Sequence, residues 1–263
     1  MRRCIVIASV VLCGLFAAGC DSDPKAISAS DAGTNGSNGL VGRQFLLQSA
    51  EGFTPVANTT VRIFFDPTSF GFYAGCNHFS AEYTLSGGRL RLGGLGSTEI
   101  GCEQPLADQD NWLADFVSSS PTLDLVGNDL TLTGAQATLH FLDRVVADPD
   151  RPLTGRVWTI DTVIESGAAM SGGWARATLQ FDDQGNVSVD TGCNTANGQY
   201  TTNSNNLVLS GMSYTHRTCL MDAGPTIDAQ VHNVMSNGTL TFEITAARLQ
   251  LLRGTIGLAA TTP

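Results

Sequence analysis

Cysteine is the residue type in this chain best suited to chemistry, and seven are present: Cys4, Cys13, Cys20, Cys76, Cys102, Cys193 and Cys219. The last four form two pairs with one spacing, 26 residues from Cys76 to Cys102 and from Cys193 to Cys219. A thiolate can attack carbon, ligate a soft metal or close a disulfide, and its surroundings decide which. Attack needs an activating base. His216 stands near Cys219, but Glu99 occupies the matching place beside Cys102, so the pair of motifs does not repeat a nucleophile. The four histidines, His78, His140, His216 and His232, form no HExxH or other ligand spacing. Carboxylates are no better organised: Glu82 faces Gln199 and Glu103 faces Leu220 in the other half. Asp182-Asp183-Gln184-Gly185-Asn186 has the chemistry of a turn and lacks the further ligands of a calcium loop. Gly93-Gly94-x-Gly96 carries no lysine to hold a phosphate. The expectation is therefore no catalytic centre, no cofactor and no metal. A reactive or metal-bound thiol ranks below a structural bridge.

The amino terminus sets the compartment. Arg2-Arg3 precedes an apolar run over residues 4–18, too short to span a bilayer comfortably, which ends in Ala17-Ala18-Gly19-Cys20. That ending resembles a bacterial lipobox, in which the leader is cut before the cysteine and the cysteine is acylated. The resemblance implies an export signal over 1–19, lipidation at Cys20 and a place in the bacterial cell envelope, lipid-anchored, with the membrane as one partner. Each buried methylene of such an anchor contributes about 0.8 kcal/mol. Residues 20–39 hold almost nothing able to build a core and include Lys25, the chain's only lysine. They read as a flexible tether with a reach on the order of 25 Å. In an exported chain an even number of remaining cysteines argues for disulfides, and the economical pairing keeps Cys76 with Cys102 and Cys193 with Cys219. A formal charge of −10 and the lack of any basic stretch exclude a nucleic-acid partner.

The elements that must position these cysteines come from a duplication. Gly75-Cys76-Asn77 recurs as Gly192-Cys193-Asn194, an offset of 117 residues that also carries Tyr83 to Tyr200, Thr98 to Thr215 and Cys102 to Cys219. Upstream, Leu40-x-Gly42-Arg43-x-Phe45 is echoed by Leu153-x-Gly155-Arg156-x-Trp158. Downstream, Leu130-Thr131-Leu132 matches Leu240-Thr241-Phe242, and Leu139-x-x-Leu142 matches Leu249-x-x-Leu252. The boundaries predicted are a first domain over 40–146, a linker over 147–152 and a second domain over 153–255. Short apolar or alternating runs at 61–65, 90–92, 178–181, 187–189 and 207–209 predict strands. Helical spacing over 105–119, stopped by Pro121, and over 225–236, with Asn237-Gly238 as a cap, predicts one helix per copy. Two short strands then close each copy. The fold class is α+β: two tandem small antiparallel β-sheet or barrel domains, each with one helix packed on it.

Gly-Cys-Asn, a Tyr seven residues after the cysteine, then Thr-x-x-x-Cys, a helix and closing strands resemble the META domain, also called HslJ-like. Gly75, Cys76, Asn77, Tyr83, Thr98 and Cys102 carry the resemblance in the first copy. Gly192, Cys193, Asn194, Tyr200, Thr215 and Cys219 carry it in the second, where Thr195-Ala196-Asn197 departs from the bulky His78-Phe79. The resemblance implies a compact α+β fold in envelope and secreted proteins and an association with stress response and secretion. It brings no catalytic residue. Structural roles are expected for the motif: Asn77 and Asn194 fixing tight turns, with tolerance of left-handed geometry, and Tyr83 and Tyr200 as core aromatics whose hydroxyls find partners. The functional expectation is a non-enzymatic envelope lipoprotein that binds an envelope protein or polymer. A structural stress factor without a discrete ligand, and last a thiol-dependent enzyme, are the alternatives.

Overall fold

The computed structural model describes residues 39–172, 177–219 and 224–263. The leader, Cys20, the tether up to residue 38 and the Leu220 position lie outside the described residues. Eighteen strands and three helices are described. The first domain runs β1 (Arg43–Glu51), β2 (Arg62–Phe65), β3 (Ser69–Tyr73), β4 (His78–Ser86), β5 (Arg89–Leu92), β6 (Gly96–Ser97), α1 (Gln104–Ser118), β7 (Thr122–Val126), β8 (Asp129–Thr133), β9 (Thr138–Asp143) and α2 (Arg144–Ala147). The second runs β10 (Val157–Glu165), β11 (Ala168–Ser171), β12 (Thr178–Phe181), β13 (Asn186–Asp190), β14 (Thr195–Asn203), β15 (Asn206–Tyr214), α3 (Gly224–Val234), β16 (Gly238–Thr245), β17 (Arg248–Arg253) and β18 (Ile256–Thr261).

Each domain is a closed eight-stranded antiparallel barrel with a helix, in agreement with the α+β class expected. In the first, β1 pairs with both β2 and β9, and β3 with β4 completes the ring, leaving β6 as an outer addition to β4. In the second, β10 pairs with β12 and β18, and β11 is the outer addition. Closure removes the unpaired edges that small sheets otherwise expose. Both barrels bend their first strand with a bulge facing the last one, at Leu47/Ser49 against β9 and at Ile160/Thr162 against β18.

Alternation along the strands fills the two interiors. Phe45, Phe65, Phe70, Phe72 and Phe141 dominate the first core, whereas the second combines Trp158 and Phe181 with aliphatic side chains. From α1, Leu113, Phe116 and Val117 enter the first core; from α3, Ile227, Val231 and Val234, with Met235 just beyond, enter the second. Helix α1 ends at Ser118, and Ser120 takes φ 60° before Pro121, ahead of which right-handed helical backbone is disfavoured. Helix α3 ends at Val234, short of Asn237-Gly238, so that pair does not cap it. Instead the Asn237 side-chain oxygen accepts from the Met212 backbone N–H at 2.9 Å.

Two expectations change here. Three strands, not two, follow each helix. The second domain continues through β18, beyond the residue-255 bound, because β18 supplies the partner that closes β10. The linker is also tied down. The Asp150 carboxylate accepts from Arg144 and from the Ala246 backbone N–H, and the Arg151 N–H reaches the Ala246 carbonyl at 2.9 Å.

Candidate functional site

The cysteine pairs are joined as expected, Cys76 to Cys102 and Cys193 to Cys219. Each bridge fastens the β3–β4 or β13–β14 corner to the segment that leads into the helix. In the chain-entropy account, closing such a loop stabilises its domain by about 3.5 kcal/mol. The glycine before each first cysteine turns with positive φ, 130° at Gly75 and 79° at Gly192. At Gly75 a Cβ would also stand 3.2 Å from Leu106 and 3.3 Å from Gln109, so the corner sits close against α1.

The asparagine after each cysteine works across the sequence rather than within its own turn. Neither Asn77 nor Asn194 has positive φ. The Asn77 Oδ1 accepts from the Thr98 hydroxyl at 2.9 Å and from the Ile100 N–H at 2.8 Å. Asn194 repeats this with Thr215 at 2.9 Å and the Arg217 N–H at 2.7 Å. The threonines complete a loop of bonds, because the His78 and Thr195 N–H groups donate to Thr98 and Thr215 at 3.1 and 3.0 Å. The Asn77 Nδ2 points toward both sulfurs of its bridge, at 3.8 Å from Cys76 and 3.4 Å from Cys102. The Gly, Cys, Asn and Thr residues of the motif are thus one clasp, built twice.

The clasp includes a residue that sequence reasoning missed, a carboxylate on the helix. Asp110 accepts from the Asn77 backbone N–H at 2.8 Å, and Asp228 accepts from the Asn194 side chain at 3.1 Å. Each lies with its two sulfurs in a group whose ligand atoms are all within 4.8 Å of one another. Asp110 is 2 % exposed. The signal was present in the sequence, but the helix of the second copy is offset by 118 residues (Asp110 to Asp228, Leu113 to Val231), one more than the motif. A comparison at fixed offset passes over it. Gln109, also buried, holds the 56–59 loop through the Val56 N–H at 2.6 Å and Thr59 at 3.0 Å; Ile227 replaces it in the second copy.

The remaining candidates lie apart from the clasp. Tyr83 and Tyr200 pack edge-on against Phe65 and Phe181. The Tyr200 hydroxyl donates to the Asp182 carbonyl at 2.7 Å, but the Tyr83 hydroxyl is buried without a partner among the described residues. Burial first, and Asp66 second, push the Tyr83 phenol upward; burial, then Asp182 and Asp183, do so for Tyr200. The Asp182 carboxylate accepts from the Gln184 and Asn186 N–H groups at 2.9 and 2.8 Å, which is turn chemistry. None of the histidines joins either sulfur–carboxylate group. His216 is exposed, His232 stands edge-on to Tyr214, His78 lies against Tyr73, and His140 bonds Thr131. A polar hollow of about 410 Å³ beside the first clasp is lined by Arg62, Tyr73, Gly75 and His78 among others. A second, of about 650 Å³, lies on the other domain along Arg156, Gln180, Asp182 and Asn197.

Comparison with known proteins gives one family model. The META domain model matches residues 38–146 and again 151–260. Heat shock protein HslJ of Escherichia coli (strain K12) is 31% identical over 138 residues, covering 51% of this chain and 93% of that protein. Among solved structures, an NMR structure 31% identical covers 40% of this chain and 91% of its own, with a TM-score of 0.34. Another, from Burkholderia xenovorans, is 16% identical over 49% of this chain and 98% of its own, with a TM-score of 0.36.

Proposed function

The chain belongs to the META domain family, in two tandem copies, and from that premise we propose a non-enzymatic lipoprotein of the bacterial cell envelope, anchored through Cys20. Its two domains, presented on the 20–39 tether, bind an envelope protein or polymer and contribute to stress resistance. The observation that carries the reading is the clasp. What both copies keep is a bridge, an asparagine, a threonine and a helix carboxylate bonded to one another, while the histidines and other acids vary. A duplicated active site would keep its titratable groups in reach of solvent. Duplicated binding modules keep the frame and vary the surface, as the two unlike hollows do. META is not a known enzyme family, and the name of the HslJ relative supports the link to stress. Two modules on one tether gain avidity when a partner offers two sites within reach.

Two measurements on one strain test this. Labelling with a clickable fatty acid marks the wild-type protein in the membrane fraction, whereas Cys20→Ser loses label and anchor. Crosslinking in intact cells, followed by mass spectrometry, then captures an envelope component that substitutions at Arg62 or Arg156 release. Unlabelled wild-type protein removes the anchor, and the absence of any crosslinked component removes the binding role.

A further inference from the structure

A bridge that only staples the fold has no need of a buried carboxylate beside it. In the first domain, a carboxylate oxygen of Asp110 and the sulfurs of Cys76 and Cys102 lie within 4.8 Å of one another. The Asp110 Oδ2 accepts one hydrogen bond, from the Asn77 N–H. Its Oδ1 is buried and has no hydrogen-bond partner among the described residues. Burying a carboxylate oxygen without a donor costs free energy, and buried carboxylates are ordinarily paired or bound to a metal.

We infer that this corner is a redox-gated metal site: once a dithiol opens the Cys76–Cys102 bridge, Cys76, Cys102 and Asp110 together hold one divalent cation of the zinc type. Two thiolates and a carboxylate are a donor set that zinc accepts, at about 2.3 Å to sulfur and 2.0–2.2 Å to oxygen. Tetrahedral geometry then sets the donor atoms roughly 3.5–3.8 Å apart. That separation is within the 4.8 Å that bounds the existing group, and the sulfurs must part from bonding distance to reach it. Both cysteines are partly exposed, which leaves a fourth position to water or a further ligand. In the gating step the dithiol is oxidised to its own disulfide, and Cys76 and Cys102 each take a proton. The cation then replaces those two protons, which pass to solvent, and two metal–sulfur bonds form.

The second domain repeats the donors as Cys193, Cys219 and Asp228. There both carboxylate oxygens are engaged, Oδ1 by the Thr191 hydroxyl at 2.5 Å and Oδ2 by the Asn194 side chain at 3.1 Å. A cation must displace one of these bonds, so the first domain is the tighter site.

The test uses the full chain carrying Cys4→Ser, Cys13→Ser and Cys20→Ser, so that its thiols are the four of the two domains. It is reduced with a phosphine, freed of reductant without oxygen, and titrated with Co²⁺, whose thiolate complexes absorb in the near ultraviolet. A tight phase saturating at one equivalent is expected. Asp110→Asn weakens that phase by at least about tenfold, and Asp228→Asn leaves it unchanged. Protection of Cys76 and Cys102 from alkylation by Zn²⁺, mapped by peptide mass, places the ion independently. Absence of the band, a band that Asp110→Asn leaves intact, or equal weakening by Asp228→Asn overturns the assignment.

Discussion

In the second domain the helix carboxylate Asp228 accepts hydrogen bonds on both oxygens, while in the first Asp110 accepts on one and leaves the other bare. The difference traces to one residue on the strand side of the motif. Thr191 lends its hydroxyl to Asp228 and receives the Asn194 N–H at 2.9 Å. Ala74, at the matching place, has no hydroxyl, and the Asn77 N–H turns to the carboxylate itself. The arginines that open the domains differ in the opposite sense. Arg43 bonds Asp143 at 2.5 Å, the Gly39 and Gly127 carbonyls and Asn128, whereas among the described residues Arg156 reaches only the Pro263 carbonyl and its Nε is buried without a partner. Strand register places Thr262 where Asp143 stands in the first barrel. Duplication has kept the backbone plan while polar partners were redistributed: each domain is complete where the other is short.

The largest contrast should appear at these arginines. Arg43→Ala strands a nearly buried Asp143 and should lower the stability of the first domain by about 2–3 kcal/mol. Arg156→Ala should cost the second domain less than about 1 kcal/mol. Calorimetric transitions of the two domains measure both; equal losses would break the comparison. Next in size, Thr191→Ala should destabilise the second domain by about 1–2 kcal/mol, since it leaves the Asp228 Oδ1 and the Asn194 N–H without a partner. The reciprocal Ala74→Thr should stabilise the first by about 1 kcal/mol. A loss on Ala74→Thr in urea melts would mean that the corner has no room for the hydroxyl.

The smallest effect is a pH dependence, largest at Tyr214 of the second domain. Burial, the largest cause, outweighs Arg253 and with Asp228 raises Tyr214 to about 12 from its ordinary 10. Its hydroxyl donates to the Met235 carbonyl at 2.9 Å. A phenol that ionises later when folded binds its proton more tightly in the native state. Its contribution is therefore full below pH 10 and is lost as the pH rises toward about 12. Ultraviolet titration should show Tyr214 as the last of three raised tyrosines, after Tyr83 and Tyr200, and Tyr214→Phe should remove that last step. A titration identical in that variant would assign the late group elsewhere.

How far the sequence could be read depended on spacing. The motif was legible because Gly, Cys, Asn, Tyr, Thr and Cys keep one offset, and fixed spacing is what a clasp of short side chains demands. Beyond the second cysteine the helix shifts by one residue, and the carboxylates Asp110 and Asp228 dropped out of view. The strands after the helix slipped further. Leu130-Thr131-Leu132 is β8, but its sequence match Leu240-Thr241-Phe242 is β16, the structural counterpart of β7. Alternating strands share a period of two, so any such strand fits its neighbour by pattern. Only pairing tells them apart.

The sequence by itself determined the duplication, the helices, the cysteine spacing and the inward-facing residues, because these follow from periodicity and composition along the chain. Tertiary structure decided that each sheet closes, that β18 is the closing strand, and that a helix carboxylate meets the disulfide. Those facts depend on which distant segments pair. The free energy of such pairing comes from burial and hydrogen bonds shared between segments, and local pattern does not record it.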